Sequence, residues 1–319
     1  MAVFRGRRGQ GRPRHQGPGR SQKLYHLVVN LISGEDPEGS QNLARKLEHR
    51  LKRGDTECII ETAGTWEDFG RIVTESARRK PFSLVIFGGD RSVRIAAAHV
   101  VRTKGLLGIV PCGRHNSIFD SLYGSVDQEK AIEMISAGHQ RRIDAGLANG
   151  HFFVGSLVSG LIPALLDRLG KDPFPRLSMS WSKLASQAAE DTIARPTTIK
   201  VDSYTFTAEP LILNVHLLSH LLTLRFAPAA MPDDGRLVLI YDQGGSRDVA
   251  AHYIRDLRKK KYQYTDAIHM VRGKRVSIAP ASGRTWLMDG DRVEFSGNEV
   301  TVEVHNQVLR VYAHAPQSS

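Results

Sequence analysis

At 319 residues the chain has room for one large domain or two of ordinary size. Its 41% hydrophobic and 24% charged residues exclude wholesale disorder, and it has no run of about 20 clean apolar residues that could span a bilayer. The net charge of +11 is concentrated at one end: Arg5, Arg7, Arg8, Arg12, Arg14, Arg20 and Lys23 carry seven positive charges with no carboxylate among them. Residues 1–22 are mostly Gly, Pro, Arg and Gln, and are expected to form a disordered basic arm. No apolar core follows its arginines, so it does not read as a secretory signal.

From residue 24 strand and helix alternate. LYHLVVN at 24–30 reads as a strand, and Leu43, Leu47 and Leu51 at i, i+4, i+8 predict an amphipathic helix over 41–51. A second strand is predicted at 57–62. Thr65 and Asp68 then have the spacing of a capping box, for a helix with Trp66, Phe69 and Val73 on its buried stripe. A third strand at 82–87 runs straight into Gly88-Gly89-Asp90. A helix over 92–103, a strand over 107–111 and a helix over 127–137 follow. Short links between alternating elements predict a doubly wound parallel sheet covered by helices on both faces.

Near residue 142 the period changes. Strands at 143–148 and 151–154 flank Asn149-Gly150, which supplies the two positive φ angles of a type I′ hairpin turn. Helices are predicted over 162–169, 180–189 and 247–261, and strands over 197–201, 211–216, 237–241, 275–279, 292–295 and 300–304. This half reads as an antiparallel β domain, a sandwich or flattened barrel. The fold expectation is therefore α/β plus β: an arm over 1–22, a parallel-sheet domain over 23–142, an antiparallel β-sandwich-like domain over 143–305, and a last strand within 306–319. Cys58 and Cys112 lie in apolar runs and make no disulfide framework, so buried free thiols in a reducing cytoplasm are expected.

Three polar, glycine-containing loops end strands at one edge of the predicted sheet. They contain Asn30, Ser33 and Gly34; Gly88, Gly89, Asp90, Arg91 and Ser92; and Gly113, Arg114, His115, Asn116 and Ser117. Glycines let backbone approach an anion, and a helix N-terminus presents free N–H groups to it. Such loops converge on one crevice in a doubly wound sheet, which points to a nucleotide cleft. A carboxylate at Asp90 cannot bind phosphate and would orient a metal or a ribose. His216 and His220 have helical i, i+4 spacing but fall on a predicted strand and lack a third ligand, which sets zinc aside. Leu217, Leu218, Leu221 and Leu222 read as core, with an acyl-chain lip as the second reading. Arg255, Arg258, Lys259, Lys260 and Lys261 read as a solvated helix end, with anionic lipid headgroups as the alternative contact.

The order Asn30-x-x-Ser33-Gly34, Gly88-Gly89-Asp90-x-Ser92, Gly113-x-x-Asn116-Ser117 and Ile143-Asp144-x-Gly146 resembles the diacylglycerol kinase catalytic-domain family, which includes bacterial lipid kinases and sphingosine kinases. Ala227-Pro228-Ala229, Pro232-Asp233-Asp234-Gly235-Arg236-Leu237 and Asp289-Gly290-Asp291 extend the resemblance through the second half. It implies ATP held by Asn30, Ser33, Gly34, Thr62, Gly88, Gly89, Asp90, Arg91, Ser92, Gly113, Arg114 and Asn116, with a lipid headgroup between the domains. It also implies a catalytic base from Asp289 and Asp291, and a structural Mg²⁺ held by Asp234 and the backbone carbonyls of Met231 and Arg236. The last strand, 308–313, would return to the first domain.

Several positions depart from the family pattern. Arg91 replaces the glycine of Gly-Gly-Asp-Gly-Thr, adding bulk, strain where φ is positive, or a charge-assisted donor for phosphate. The bulk reading predicts that Arg91→Gly raises ATP affinity. Arg94 and Ile95 stand where the family has Asn-Glu, Arg114 where it has Thr, and Asp291 where it has Glu. These changes imply either remodelled phosphate recognition or lost catalysis. The expected function is ATP- and Mg²⁺-dependent phosphorylation of a lipid hydroxyl, on diacylglycerol or a sphingoid base. The protein would be cytoplasmic and peripheral to a membrane, and a homodimer is compatible with this. A pseudokinase holding a nucleotide or phospholipid is the alternative, and nucleic-acid binding through the arm is a third, minor reading.

Overall fold

The computed structural model describes residues 23–52, 56–79, 81, 83–169, 181–222, 224–258 and 266–315. The basic arm, Lys259, Lys260 and Lys261 lie outside them.

In the first half β1 (Lys23–Asn30), β2 (Thr56–Ala63), β3 (Ser83–Gly88) and β4 (Leu106–Pro111) alternate with α1 (Pro37–Leu51), α2 (Trp66–Arg79), α3 (Asp90–Thr103), α4 (Ser117–Tyr123) and α5 (Gln128–Ala137). The strands pair in parallel in the order β2-β1-β3-β4. Helix starts follow local chemistry. Asp36 caps α1 by accepting the Gly39 N–H, Thr65 accepts the Asp68 N–H before α2, and Asp127 caps α5 through Lys130. Leu27, Val29, Val85, Phe87 and Ile109 are buried with Leu47, Phe69 and Ala96 of the covering helices. Each such side chain taken from water contributes about 1.5–3 kcal/mol for the larger apolar residues. Cys112 is buried, whereas Cys58 is only half-buried.

The second half contains β5 (Gln140–Ala148), β6 (His151–Phe153), β7 (Ser156–Gly160), α6 (Leu161–Leu169), α7 (Trp181–Asp191), β8 (Thr197–Val201), β9 (Tyr204–Ala208), β10 (Ile212–His216), β11 (Leu237–Asp242) and α8 (Arg247–Arg258). It closes with β12 (Ile268–Gly273), β13 (Arg275–Ala279), β14 (Trp286–Met288), β15 (Asp291–Val293) and β16 (Val300–Tyr312). Asn149 and Gly150 both have positive φ, 46° and 85°, in the turn between β5 and β6. One antiparallel sheet runs β12-β11-β10-β7-β14-β15. Strands β8, β9 and β13 instead extend the first sheet, joined to it by β16. The start of β16 pairs with β13, and Val311 near its end pairs in parallel with Leu107 of β4.

Strand alternation divides the cores. Leu213 and Val215 of β10 pack with Ile199, Val276 and Val302 between the two sheets, while Ile212 packs with Leu165, Ala188 and Ile254 beneath α6–α8. The α/β plus antiparallel sandwich architecture stands as expected. Five elements (α4, β7, β9, β12 and β14) have no counterpart in the sequence reading; four are five or six residues or fewer, and α4 is two turns, too short for a periodic signal. The carboxyl ends of β1, β3 and β4 and the β14–β15 turn face one another.

Candidate active site

The three loops of the first domain close on each other through backbone. The Asp90 N–H donates to the His115 carbonyl at 3.1 Å, Cys112 to Gly88 at 3.3 Å, and Arg114 to Ser33 at 3.0 Å. Only glycine fits at the closest approach: a Cβ on Gly113 would lie 2.2 Å from the Gly89 Cα. Asn30 is buried at the end of β1 and donates from Nδ2 to Ser92 Oγ at 2.9 Å, and that oxygen lies 2.9 Å from Ser33 Oγ. Asn116 clasps Gly113, accepting its N–H at 3.1 Å and donating to its carbonyl at 2.9 Å.

Asp90 takes a role other than the metal or ribose ligation expected of it. Its carboxylate accepts the N–H groups of Ser117 at 3.0 Å and Ile118 at 2.8 Å, so it fixes the first turn of α4. Burial pushes its pKa up to about 6, against the opposing pull of these amides. The N-cap of α3 is Gly89, whose lack of a side chain leaves the first turn of that helix uncapped beside the cleft.

Arg91 lies within that first turn and has no positive φ, so the backbone strain considered for it is absent. Its guanidinium sits 4.1 Å above the Trp66 ring, and its Nε is 3.4 Å from Asp291 Oδ2. Arg94, about one turn on, donates to the same oxygen at 2.5 Å. The carboxylate missing after α3 begins is therefore supplied from across the cleft.

Asp289 and Gly290, with φ of 48° and 87°, form the two-residue turn joining β14 to β15. The Asp289 carboxylate accepts three backbone N–H groups, those of Val154 (on Oδ2), Gly155 and Ser156 (on Oδ1), each at 2.8 Å. Burial nevertheless dominates and pushes its pKa up. Oδ2 receives one of the three, so it retains a lone pair for a further proton. Asp291 differs: it is paired to two guanidinium groups and stands half-buried. Its Oδ2 is spent on these two ion pairs.

The cleft between these walls has a volume of about 240 Å³. Of the residues expected at the site it gathers Ser33, Gly89, Asp90, Arg91, Ser92, Arg114, Asp289 and Asp291. Asn30, Gly88, Gly113 and Asn116 serve as supports around it, and Gly34 packs where a Cβ would meet the Cys112 carbonyl. Thr62, opposite Val29 at the end of β2, is not among the lining residues. Trp66, Leu166, Leu221 and Leu222 complete the walls. Trp66 was legible only as a buried-stripe residue, and nothing in the sequence singles out Leu166. His216 is buried on β10 against Phe226, while His220 lies beyond the strand beside Ser121, so the two do not form a metal site.

The magnesium site implied for Asp234, Met231 and Arg236 does not fit. Asp234 Oδ1 accepts the Arg236 N–H at 3.0 Å, and Oδ2 is engaged by the Arg272 guanidinium, which stands where a cation would. Met231 is 56% exposed. Among the described residues no group of three His, Cys, Asp or Glu is placed to hold a metal. The turn is instead tied by buried Asp144, which accepts the Gly235 and Gln307 N–H groups at 2.7 Å each.

Residues 25–148 match the family described as the diacylglycerol kinase catalytic domain. A diacylglycerol kinase of Staphylococcus saprophyticus is 23% identical over 302 residues, covering 90% of this chain and 95% of that protein. One of Staphylococcus carnosus is 23% identical over 284 residues, covering 85% and 89%. The crystal structure of a diacylglycerol kinase from Bacillus anthracis superposes with a TM-score of 0.70 at 18% identity, covering 92% of this chain and 97% of that one, which shows the shared fold. The resemblance carried by the sequence motifs is borne out.

Proposed function

We propose, from the premise that this chain is a diacylglycerol kinase-like protein, that it transfers the γ-phosphoryl group of ATP to a lipid hydroxyl in this cleft. The observation that carries the reading is the juxtaposition of an amide-held Asp289 of raised pKa with two arginines and an uncapped helix start. Phosphoryl transfer needs chiefly positioning and charge neutralisation. The Arg91 and Ser92 N–H groups in the first turn of α3 and the guanidinium groups of Arg91 and Arg94 match phosphate oxygens. Asp291 is a positioning residue that holds both guanidinium groups at the cleft.

Asp289 is the base. The lipid hydroxyl gives its proton to Oδ2 as its oxygen forms the new bond to the γ-phosphorus. The bond from that phosphorus to the bridging oxygen breaks, and ADP leaves with the electron pair. Asp289 then returns the proton to solvent. ATP enters with magnesium as part of the substrate, and no residue of this chain is assigned to that ion. Diacylglycerol is the first substrate to try, because the relatives bear that name. Its apolar portion meets Leu166, Leu221 and Leu222. No helix among the described residues is long and apolar enough to cross a membrane, so the lipid would be reached from its surface.

The test is transfer of label from γ-labelled ATP to diacylglycerol and to a sphingoid base in mixed micelles. Labelled lipid with either acceptor supports the reading, and none with both contradicts it. A second reading, nucleotide or phospholipid binding without turnover, draws support from Asp291 locked to two arginines and Asp234 to Arg272. Calorimetric binding of ATP in a preparation that transfers no label would favour it.

A further inference from the structure

A second cavity, of about 260 Å³, lies on the sandwich domain between α6, the segment after α7 and the loop entering β14. It is lined by Arg195 and Arg284, by the carboxylates Asp167 and Asp191, and by Ser159. The two carboxylates are already answered: Arg292 donates to Asp167 at 2.5 Å, and Arg168 to Asp191 at 2.5 Å. Among the described residues neither Arg195 nor Arg284 has a carboxylate within 4 Å. The cavity therefore carries two uncompensated positive charges side by side.

Arg284 is held in place rather than neutralised. Its Nε donates to the Pro280 carbonyl at 3.2 Å, and its Nη2 meets the Arg195 carbonyl at 3.4 Å and the Thr197 hydroxyl. None of these acceptors bears charge, and its Nη1 is not used in them. The Arg195 guanidinium packs over Gly283, where a Cβ would come within 3.3 Å of Nη1. Burial first, and the neighbouring Arg195 charge second, push the Arg284 pKa down, the direction expected of a partly buried cation without a counter-ion.

We propose that this cavity is an anion site that takes a phosphate-class ligand, bridged by the Arg195 and Arg284 guanidinium groups. A tetrahedral oxyanion answers two adjacent guanidinium forks at once, which a single chloride does not. The site is separate from the active-site cleft. It shares α6 with it, since Pro163, Ala164 and Asp167 face this cavity and Leu166 faces the other. The ligand is either a free phosphate or phosphate monoester, or the headgroup of an anionic lipid; the shared chemistry is the oxyanion.

The test is calorimetric titration of the full chain with inorganic phosphate at constant ionic strength in chloride. Arg94→Gln is run beside the wild type so that phosphate bound in the cleft is recognised. Arg195→Gln is the decisive variant, because Arg284 holds three protein oxygens and its replacement risks the fold. Arg195→Gln should weaken one phosphate-binding event by at least about tenfold (1.4 kcal/mol), and Arg94→Gln should leave that event in place. Equal phosphate binding by wild type and Arg195→Gln overturns the proposal, as does no binding outside the cleft. Sedimentation with phosphatidylcholine vesicles, with and without phosphatidic acid, identifies the source. Retention lost in Arg195→Gln assigns a lipid headgroup, and retention unchanged beside weakened phosphate binding assigns the free anion.

Discussion

The two walls of the cleft satisfy their polar groups in opposite ways. The first-domain wall closes on itself: Asn30, Ser92 and Ser33 bond one another, Asp90 is spent on α4, and Gly89 meets Gly113 backbone to backbone. The second-domain wall divides its two carboxylates. Asp289 turns inward to three amides of its own domain, while Asp291 reaches across to Arg91 and Arg94. The difference separates a preorganised cradle from a hairpin tip that, among the described residues, is tied to it by charge through two ion pairs. On the proposed function, phosphate oxygens would compete for those same arginines, and the tip would be where ligand and protein trade partners.

The largest effect on stability should come from the inward carboxylate. Asp289→Ala leaves three buried N–H groups unanswered and should destabilise by about 3–5 kcal/mol in denaturant unfolding. A loss under about 1 kcal/mol would mean that water replaces the carboxylate and that the second wall is looser than described. The matching change on the first wall, Asp90→Ala, frees two amides and removes a costly buried charge, and should cost about 2 kcal/mol.

Smaller effects bear on the cross-cleft ties. Arg94→Gln and Arg91→Gln should each weaken ATP binding about tenfold, which is ~1.4 kcal/mol, with little change in stability. Arg91→Gly should weaken it too, the reverse of what the bulk of the side chain suggests, because Arg91 lies over Trp66 rather than being strained over the glycines. Tighter ATP binding by Arg91→Gly would restore the steric reading.

The pH dependence gives the finest contrast. The Asp90 pKa rises on folding to about 6, so the folded protein takes up a proton that the unfolded chain does not bind until pH falls near 3.8. Its charge therefore opposes folding above about pH 6, and the opposition fades as pH drops through 6 toward 4. Wild type should gain roughly 1–2 kcal/mol relative to Asp90→Asn between pH 7.5 and 4.5. An invariant difference between the two would place the Asp90 pKa at its ordinary value. For Asp289 the raised pKa should appear in transfer rates, with activity lost on acidification at a pH above the ordinary carboxylate range of about 4.

Sequence patterns announced the cradle better than the hairpin. The three glycine loops could be read because each follows an apolar strand, and their convergence follows from sheet topology. What those residues do was less legible. Asp90 looked like a ligand, but its partners belong to α4, a two-turn helix with no periodic signal of its own. Asn149-Gly150 is legible as a turn, while Asp289-Gly290, with the same pair of positive φ angles, stands out in the sequence only for its carboxylate. The Arg94–Asp291 pair spans 197 residues, and no spacing rule reaches that far. The loss of a carboxylate at Ile95 is legible, whereas the part its neighbour Arg94 plays in an ion pair with Asp291 is not. The implied metal site failed for the same reason, since Arg272 meets Asp234 only in the folded sheet.

The most direct test of the account is a comparison of Asp289→Asn and Asp291→Asn in single-turnover phosphoryl transfer, with ATP affinity measured on the same preparations and folding verified for both. Asp289→Asn should lower the transfer step by about 10²–10⁴-fold while ATP affinity stays within a factor of about 3. Asp291→Asn should chiefly change ATP affinity, because it releases Arg91 and Arg94 without touching the proton. A folded Asp289→Asn protein that transfers phosphate at the wild-type rate would contradict the assignment of Asp289 as the base.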